Sequence, residues 1–404
     1  MSDSVPQGEP VAKSTGSPGL ARRVGRRQRG KMLADMIVNR FTTLDQLDAL
    51  RSRWAELYRL DPHSNLFLSW DWLYACLASE KKPWIILGVR RGEAPYLAFL
   101  PLSFARHPRL GSPFHRELRL GPGPRADFTG LLGLPGEEAN FIPALAREIE
   151  LLPWDSLTLA NCADGRVVSL VAEFSSSRYR FVAADSTPTP FVKLPATWDS
   201  YLATRGPATR ATLRKHLRRI ERLPGYRLHF APPSEAESAI EDLLRLHSAR
   251  WKQSFQKWHR LFGEFFAKCY ASGRFAVCAI YQGTTLVAAQ GFFIDAPQRR
   301  IVAYMIAHNP EYSRYSPGTM LMCASIRRAI EHGYESYSFS LGAQPYKVSF
   351  ATDVAYITNA KLWRRSVRAS ARFRGGQAIK AAKGFARKLL LPGRGAHAGL
   401  LVEG

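Results

Sequence analysis

The sequence predicts a duplicated α+β fold: two mixed, mostly antiparallel sheets in tandem, each flanked by helices. Three observations point there. Two apolar hairpin patterns, W-I-I-L-G-V-R-R-G-E-A-P-Y-L-A-F-L-P-L and F-A-V-C-A-I-Y-Q-G-T-T-L-V-A-A-Q-G-F-F, sit at equivalent places in the two halves. Each is preceded by helical patterns and followed by a third strand, a helix and a closing strand. The length of 404 residues suits two domains, each with its own core.

Composition narrows the class. With 46% apolar and 11% aromatic residues the chain is globular. No window approaches the ~18 apolar residues of a membrane span, and no apolar core follows the N-terminal basic residues as in a secretory signal. Cys76, Cys162, Cys269, Cys278 and Cys323 are scattered, and neither they nor the histidines make a metal-ligand pattern. This reads as a reducing, cytoplasmic setting with no disulfide framework and no metal. The formal net charge of +24 concentrates in Arg22–Lys31, in Arg205–Arg222, and from Lys361 to Arg394. Such clusters suit nucleic acid, anionic lipid or a phosphate-rich ligand, and equally a solvated helix face.

In chain order, residues 1 to about 31 are Ser-, Gly-, Pro- and Arg-rich and read as disordered, with Met32 and Met36 as later starts. Leu44, Leu47, Leu50, Trp54, Leu57 and Tyr58 predict a helix over 43–60, and 67–77 a Trp-rich buried one. Strands follow at 84–89, 96–104 and 117–120, then a loop containing Gly121, Pro122, Gly123 and Pro124. A helix over 137–152 and a strand at 156–159 close the first unit. The T-P-T-P segment at Thr187–Pro190 marks the boundary. The division expected is a basic tail 1–35, a first domain 36–190, a second 191–365 and a basic tail 366–404.

The second half predicts helices over 198–223, 233–255 and 261–272 around a strand at 226–230. Strands over 275–281, 286–294 and 301–307 come next. Ser316 then reads as an N-cap, Pro317 as a first helical residue and Gly333 as a left-handed stop. A closing strand is expected over 337–341. The start of this helix should present the N–H groups of Gly318, Thr319 and Met320, with Arg314 just before them, as an anion site.

Several motifs carry a resemblance. H-S-A-R-W (His247–Trp251), A-A-Q-G-F-F, N-P-E-Y-S-R-Y-S-P-G-T-M-L (Asn309–Leu321) and G-A-Q-P-Y-K (Gly342–Lys347) resemble GNAT-type N-acyltransferases. Within these, they resemble the bacterial family associated with cellulose and exopolysaccharide biosynthesis. The N-terminal F-L-S-W-D-W-L and L-A-F-L-P-L are similar as well, and the resemblance spans residues 40 to 365. The same duplicated fold is shared with Fem-type transferases, which use aminoacyl-tRNA.

The resemblance implies two tandem GNAT-like domains. It also implies acyl transfer from acyl-CoA, acetyl-CoA above all, to an amine or hydroxyl of a small-molecule or saccharide acceptor. Arg314, Ser316, Gly318 and Thr319 would bind the cofactor. His308 is the candidate base, Tyr346 the candidate acid for the leaving thiolate, and Lys347 a phosphate or turn partner. The chain departs from the family at Ser338 and Gln344, where members often carry acids, so no carboxylate base is assigned. Two other readings stand beside this one. A Fem-like, tRNA-dependent transferase would use the basic surface to bind tRNA. A non-catalytic GNAT domain would sit at the inner face of the membrane through the basic C-terminal tail.

Overall fold

The computed structural model describes residues 35–366 except 81, 107–114 and 124, together with residue 371. The expected N-terminal tail, the cluster Arg22–Lys31, Pro124 and nearly all of the C-terminal tail lie outside the described residues.

The first half opens with a strand that the sequence did not reveal, β1 (Met36–Phe41), paired antiparallel with β2. The single helix expected over 43–60 is two, α1 (Leu44–Asp48) and α2 (Arg51–Leu60). Thr43 starts α1 through a capping box with Gln46. Next comes α3 (Trp70–Ala78), whose Trp72 is fully buried. The hairpin β2 (Trp84–Arg91) and β3 (Ala98–Arg106) leads to β4 (Arg116–Leu120) and the short β5 (Leu132–Gly133). Helix α4 (Glu138–Leu151) returns the chain to β6 (Ser156–Cys162), parallel to β4. Helix α5 (Arg166–Ala172) precedes β7 (Tyr179–Lys193). The Thr187–Pro190 segment lies inside β7 and is not a coil linker.

The second half begins with α6 (Trp198–Ala203) and α7 (Pro207–Arg222), where one helix was expected. Gly206 and Pro207 divide them because Pro has no N–H to continue a helix but suits the first position of a new one. Then come β8 (Tyr226–Phe230), α8 (Ala236–Arg250) and α9 (Phe255–Ala271). The last two are the helices expected over 233–255 and 261–272 with shifted bounds: the first stops before Lys252, itself in a left-handed conformation (φ 49°), and the second begins earlier, at Phe255. Strands β9 (Phe275–Gln282), β10 (Thr285–Asp295) and β11 (Arg300–His308) form the antiparallel meander. Helix α10 (Pro317–Glu331) crosses to β12 (Ser336–Ser338), parallel to β11. The closing strand is thus shorter than the predicted 337–341. A one-turn helix α11 (Pro345–Phe350) and the unpredicted β13 (Asp353–Arg364) follow.

The two halves repeat one plan: meander, helix, parallel strand, with β4–α4–β6 matching β11 through α10 to β12. Among the described residues all strands join one sheet, ordered β1-β2-β3-β4-β6-β13-β7-β12-β11-β10-β9-β8, with β5 beside β3. The joint is an exchange. The strand that follows the first unit, β7, pairs with β12 of the second, and β13, which follows the second, pairs with β6 of the first. β7 and β13 also pair with each other along most of their length. One buried cluster further welds the halves. Trp72 meets Phe265 edge-on at 5.5 Å, and Phe67 meets Phe293 at 6.4 Å. Side chains this large and dry make a shared core rather than a hinge surface. No described helix is long and apolar enough to cross a membrane.

Candidate acyl-transfer site

Strands β11 and β12 pair only from Arg300–Ser336 to Val302–Ser338. Beyond these pairs they part. Ser340 takes a left-handed turn (φ 59°) and Gly342 follows at φ 86°, which steers the chain away from β11. Among the described residues the β12-facing edge of β11 past Val302 has no strand partner, a row of backbone groups able to pair with an extended ligand. The result is a wedge that opens toward His308. Within it, the register against β10 skips Tyr304 between the pairs Phe292–Ala303 and Gly291–Met305. This bulge re-aims the side chains that follow.

At the wedge mouth stands the start of α10. Ser316, expected to cap it with its side chain, instead adopts a left-handed backbone (φ 55°, ψ 53°) and makes no side-chain cap. Its carbonyl accepts the N–H groups of Thr319 (3.0 Å) and Met320 (3.1 Å). Of the three N–H groups expected to be free, only that of Gly318 has no backbone acceptor among the described residues. A Cβ on Gly318 would lie 3.7 Å from Ile306 Cδ1 and 3.9 Å from His308 Nδ1, so neither space nor φ demands glycine here. Arg314 is exposed and lies over the ring of Tyr315 at 4.7 Å. From the neighbouring basic helix α7, Arg219 donates to the Tyr315 carbonyl at 3.2 Å.

His308, Tyr346 and Lys347 come to the same opening. His308 is half-buried, lies 3.3 Å from the Ser313 hydroxyl, and is held below the ordinary histidine range by burial and by the charge of Arg250. Tyr346 is exposed at its rim; burial of its phenol pushes it up, with Arg250 opposing. Arg250, at the end of α8, donates to the Ile306 carbonyl at 3.3 Å and so faces both. Lys347 donates to the Leu341 carbonyl at 2.6 Å. Burial lowers its pKa, and Asp127 partly restores it.

Asp127 was missed by sequence reasoning. It comes from the first half, in the loop between β4 and β5, and lies beside Lys347, Ser340 and Tyr304. Burial raises its carboxyl to about 6, against the lowering influence of Ser340 and Lys347. Ser340 is 5% exposed, and its hydroxyl makes no hydrogen bond of normal geometry among the described residues, although it is close enough to stabilise the carboxylate. The loop is pinned by the Tyr304 hydroxyl, which donates to the Arg125 carbonyl at 2.9 Å, and by Arg125, which donates to the Leu261 carbonyl. The available signal was a charged pair, Arg125 and Asp127, after a Gly/Pro-rich loop.

A cleft of about 530 Å³ lies at the paired end of β11 and β12, lined from both halves by Asn65, Phe128, Thr189, Phe191, Arg300 and Ser338 among others. Among the described residues no group of three His, Cys, Asp or Glu side chains is placed to hold a metal ion.

Residues 207–348, which contain the wedge and the start of α10, match the family model described as an acetyltransferase (GNAT) domain. A search of curated proteins returned no match. Among solved structures, FemX is similar at TM-score 0.55 and 9% identity, over 80% of this chain and 96% of that one. A conserved protein of unknown function from Bacteroides thetaiotaomicron is similar at TM-score 0.50 and 11% identity, over 81% and 100%. A tandem GNAT protein from the clavulanic acid biosynthesis pathway aligns at TM-score 0.44 and 13% identity, over 80% and 98%. At these identities the likeness to the first two is one of fold.

Proposed function

We propose that the chain is an acyltransferase that takes its acyl group from an acyl-CoA, acetyl-CoA in the simplest case. It passes that group directly to an amine or hydroxyl of a saccharide or cell-envelope precursor. The observation that carries the reading is the wedge between β11 and β12 with the Gly318 N–H at its mouth, inside the segment that matches a GNAT domain. The pantetheine arm would pair with the open edge of β11. Gly318, Thr319, Ser316 and Arg314 would hold the pyrophosphate at the positive end of α10. His308 borders the same phosphate side, and Tyr346 at the rim would protonate the departing thiolate. Binding of acetyl-CoA by calorimetry tests this. Gly318→Asp, which the open surroundings of Gly318 accommodate, should weaken binding at least ~10-fold by setting a carboxylate against the pyrophosphate. Absence of binding by the parent protein refutes the reading.

A second reading has one observation in its favour. Arg214, Lys215, Arg218 and Arg222 are exposed along α7, which packs against α10. Such a stripe suits the backbone of an aminoacyl-tRNA. It predicts tRNA binding that weakens steeply with salt, where acetyl-CoA binding is absent.

A further inference from the structure

The second half places no carboxylate at Ser338 or Gln344, so its wedge has no acid of its own at those positions. The first half supplies one. Asp127 lies beside Ser340, Lys347 and Tyr304 of the second half. Phe128 lines the cleft and Asp127 precedes it. Ser338 lines the cleft, and Ser340 is two residues further on. Val302 lines the cleft, and Tyr304 is two residues further along β11. Asp127 is thus next in sequence to one cleft-lining residue, and its neighbours Ser340 and Tyr304 are each two residues from another. The buried Ser340 hydroxyl at the same point, on a left-handed backbone, lies close enough to the Asp127 carboxylate to stabilise it.

We propose that Asp127 is the general base of the transfer, and that the cleft beside it admits a primary amine as acceptor. This rests on the acyltransferase reading above. The acceptor arrives as an ammonium ion and gives one proton to the Asp127 carboxylate. The freed lone pair attacks the thioester carbonyl carbon, the new C–N bond forms and the C–S bond breaks. Tyr346 gives its proton to the departing thiolate and takes the nitrogen's second proton in its place, and Asp127 returns its own to solvent. The products are the amide and the free thiol. The charged and titratable groups around Asp127 are Lys347 from α11 and Tyr304 from β11. Lys347 and the Ser340 hydroxyl hold the carboxylate ionised in use, and burial keeps it basic enough to take a proton.

The test uses two nucleophiles small enough to enter any acceptor cleft, with acetyl-CoA as donor. Methylamine is protonated at neutral pH and needs a base; hydroxylamine is uncharged and needs one far less. Asp127→Asn should lose ~100-fold or more with methylamine. With hydroxylamine it should lose far less, and its acetyl-CoA affinity should match the parent. Asp127→Glu should recover part of the methylamine rate. The parent's methylamine rate should fall on the acid side near pH 6, and this limb should vanish in Asp127→Asn. Equal losses with both nucleophiles, or an intact methylamine rate, overturn the assignment and leave the acyl-CoA reading standing. So does a parent protein that binds acetyl-CoA and transfers to neither. A parent that does not bind acetyl-CoA removes the reading beneath it.

Discussion

The hydroxyl of Tyr304, the extra residue of the β11 bulge, donates a 2.9 Å hydrogen bond to the backbone carbonyl of Arg125, which lies in the other half of the molecule. That bond fixes the loop holding Asp127 against the wedge. Tyr304→Phe keeps the ring's packing against Phe293 and Phe266 and removes only the donor. A hydrogen bond of this kind contributes about 0.5–1.5 kcal/mol net. The variant should therefore bind acetyl-CoA normally and transfer to methylamine up to ~10-fold more slowly. A parallel loss of acetyl-CoA binding would show that the bond serves the whole wedge rather than the acceptor side.

The raised carboxyl of Asp127 also has a cost in stability, with a definite sign. Its folded-state pKa, about 6, lies above the usual 3.8, so the folded state binds the proton more tightly than the unfolded one. Below about pH 4 both states are protonated and nothing is lost. As pH rises through 6 the folded state must ionise a carboxyl in a poor environment, at an expense of about 1–3 kcal/mol. Asp127→Asn resembles the protonated form. It should therefore match the parent in urea unfolding at pH 4 and exceed it at pH 7.5. Equal midpoints at both values would mean that the carboxyl is not perturbed.

Away from the site, Arg166 holds two buried carboxylates, Asp61 at 2.8 Å and Asp164 at 2.7 Å, and Asp61 also accepts the Gly133 N–H. The group ties the end of α2 to α5 and β5. Arg166→Ala strands two desolvated negative charges and should destabilise by about 3–5 kcal/mol. Chemical denaturation at pH 7 checks this. The loss should shrink in a triple variant, Asp61→Asn, Asp164→Asn with Arg166→Met, because the charges are then removed together.

How much of this was legible beforehand varies with the range of the signal. The hairpins β2–β3 and β9–β10, the helices α4 and α10 and the repeated order of units were readable, because apolar residues at period two or 3.6 declare a local state. Helix breaks were less readable. Lys252 ends α8 in a left-handed turn that no glycine announces. Strands β1 and β13 were missed. β13 is half-exposed on both faces and carries Asn359, Lys361 and Arg364 among its apolar residues, so its alternation is blurred. What makes it a strand is twelve residues of pairing with β7, distant in sequence.

The candidate site divides along the same line. By itself the sequence determined the duplicated α+β plan, the helix start at Pro317 and the convergence of S-P-G-T and P-Y-K motifs on one domain, since each is written in contiguous residues. Only the tertiary structure decided that β7 and β13 exchange partners, that Ser316 turns left-handed rather than capping α10, and that Asp127 of the first half faces Ser340 and Lys347 of the second. The reason is physical. Local propensity acts within a few residues. A carboxylate's neighbours, and with them its basicity, are set by which distant segments the shared sheet and core bring within reach.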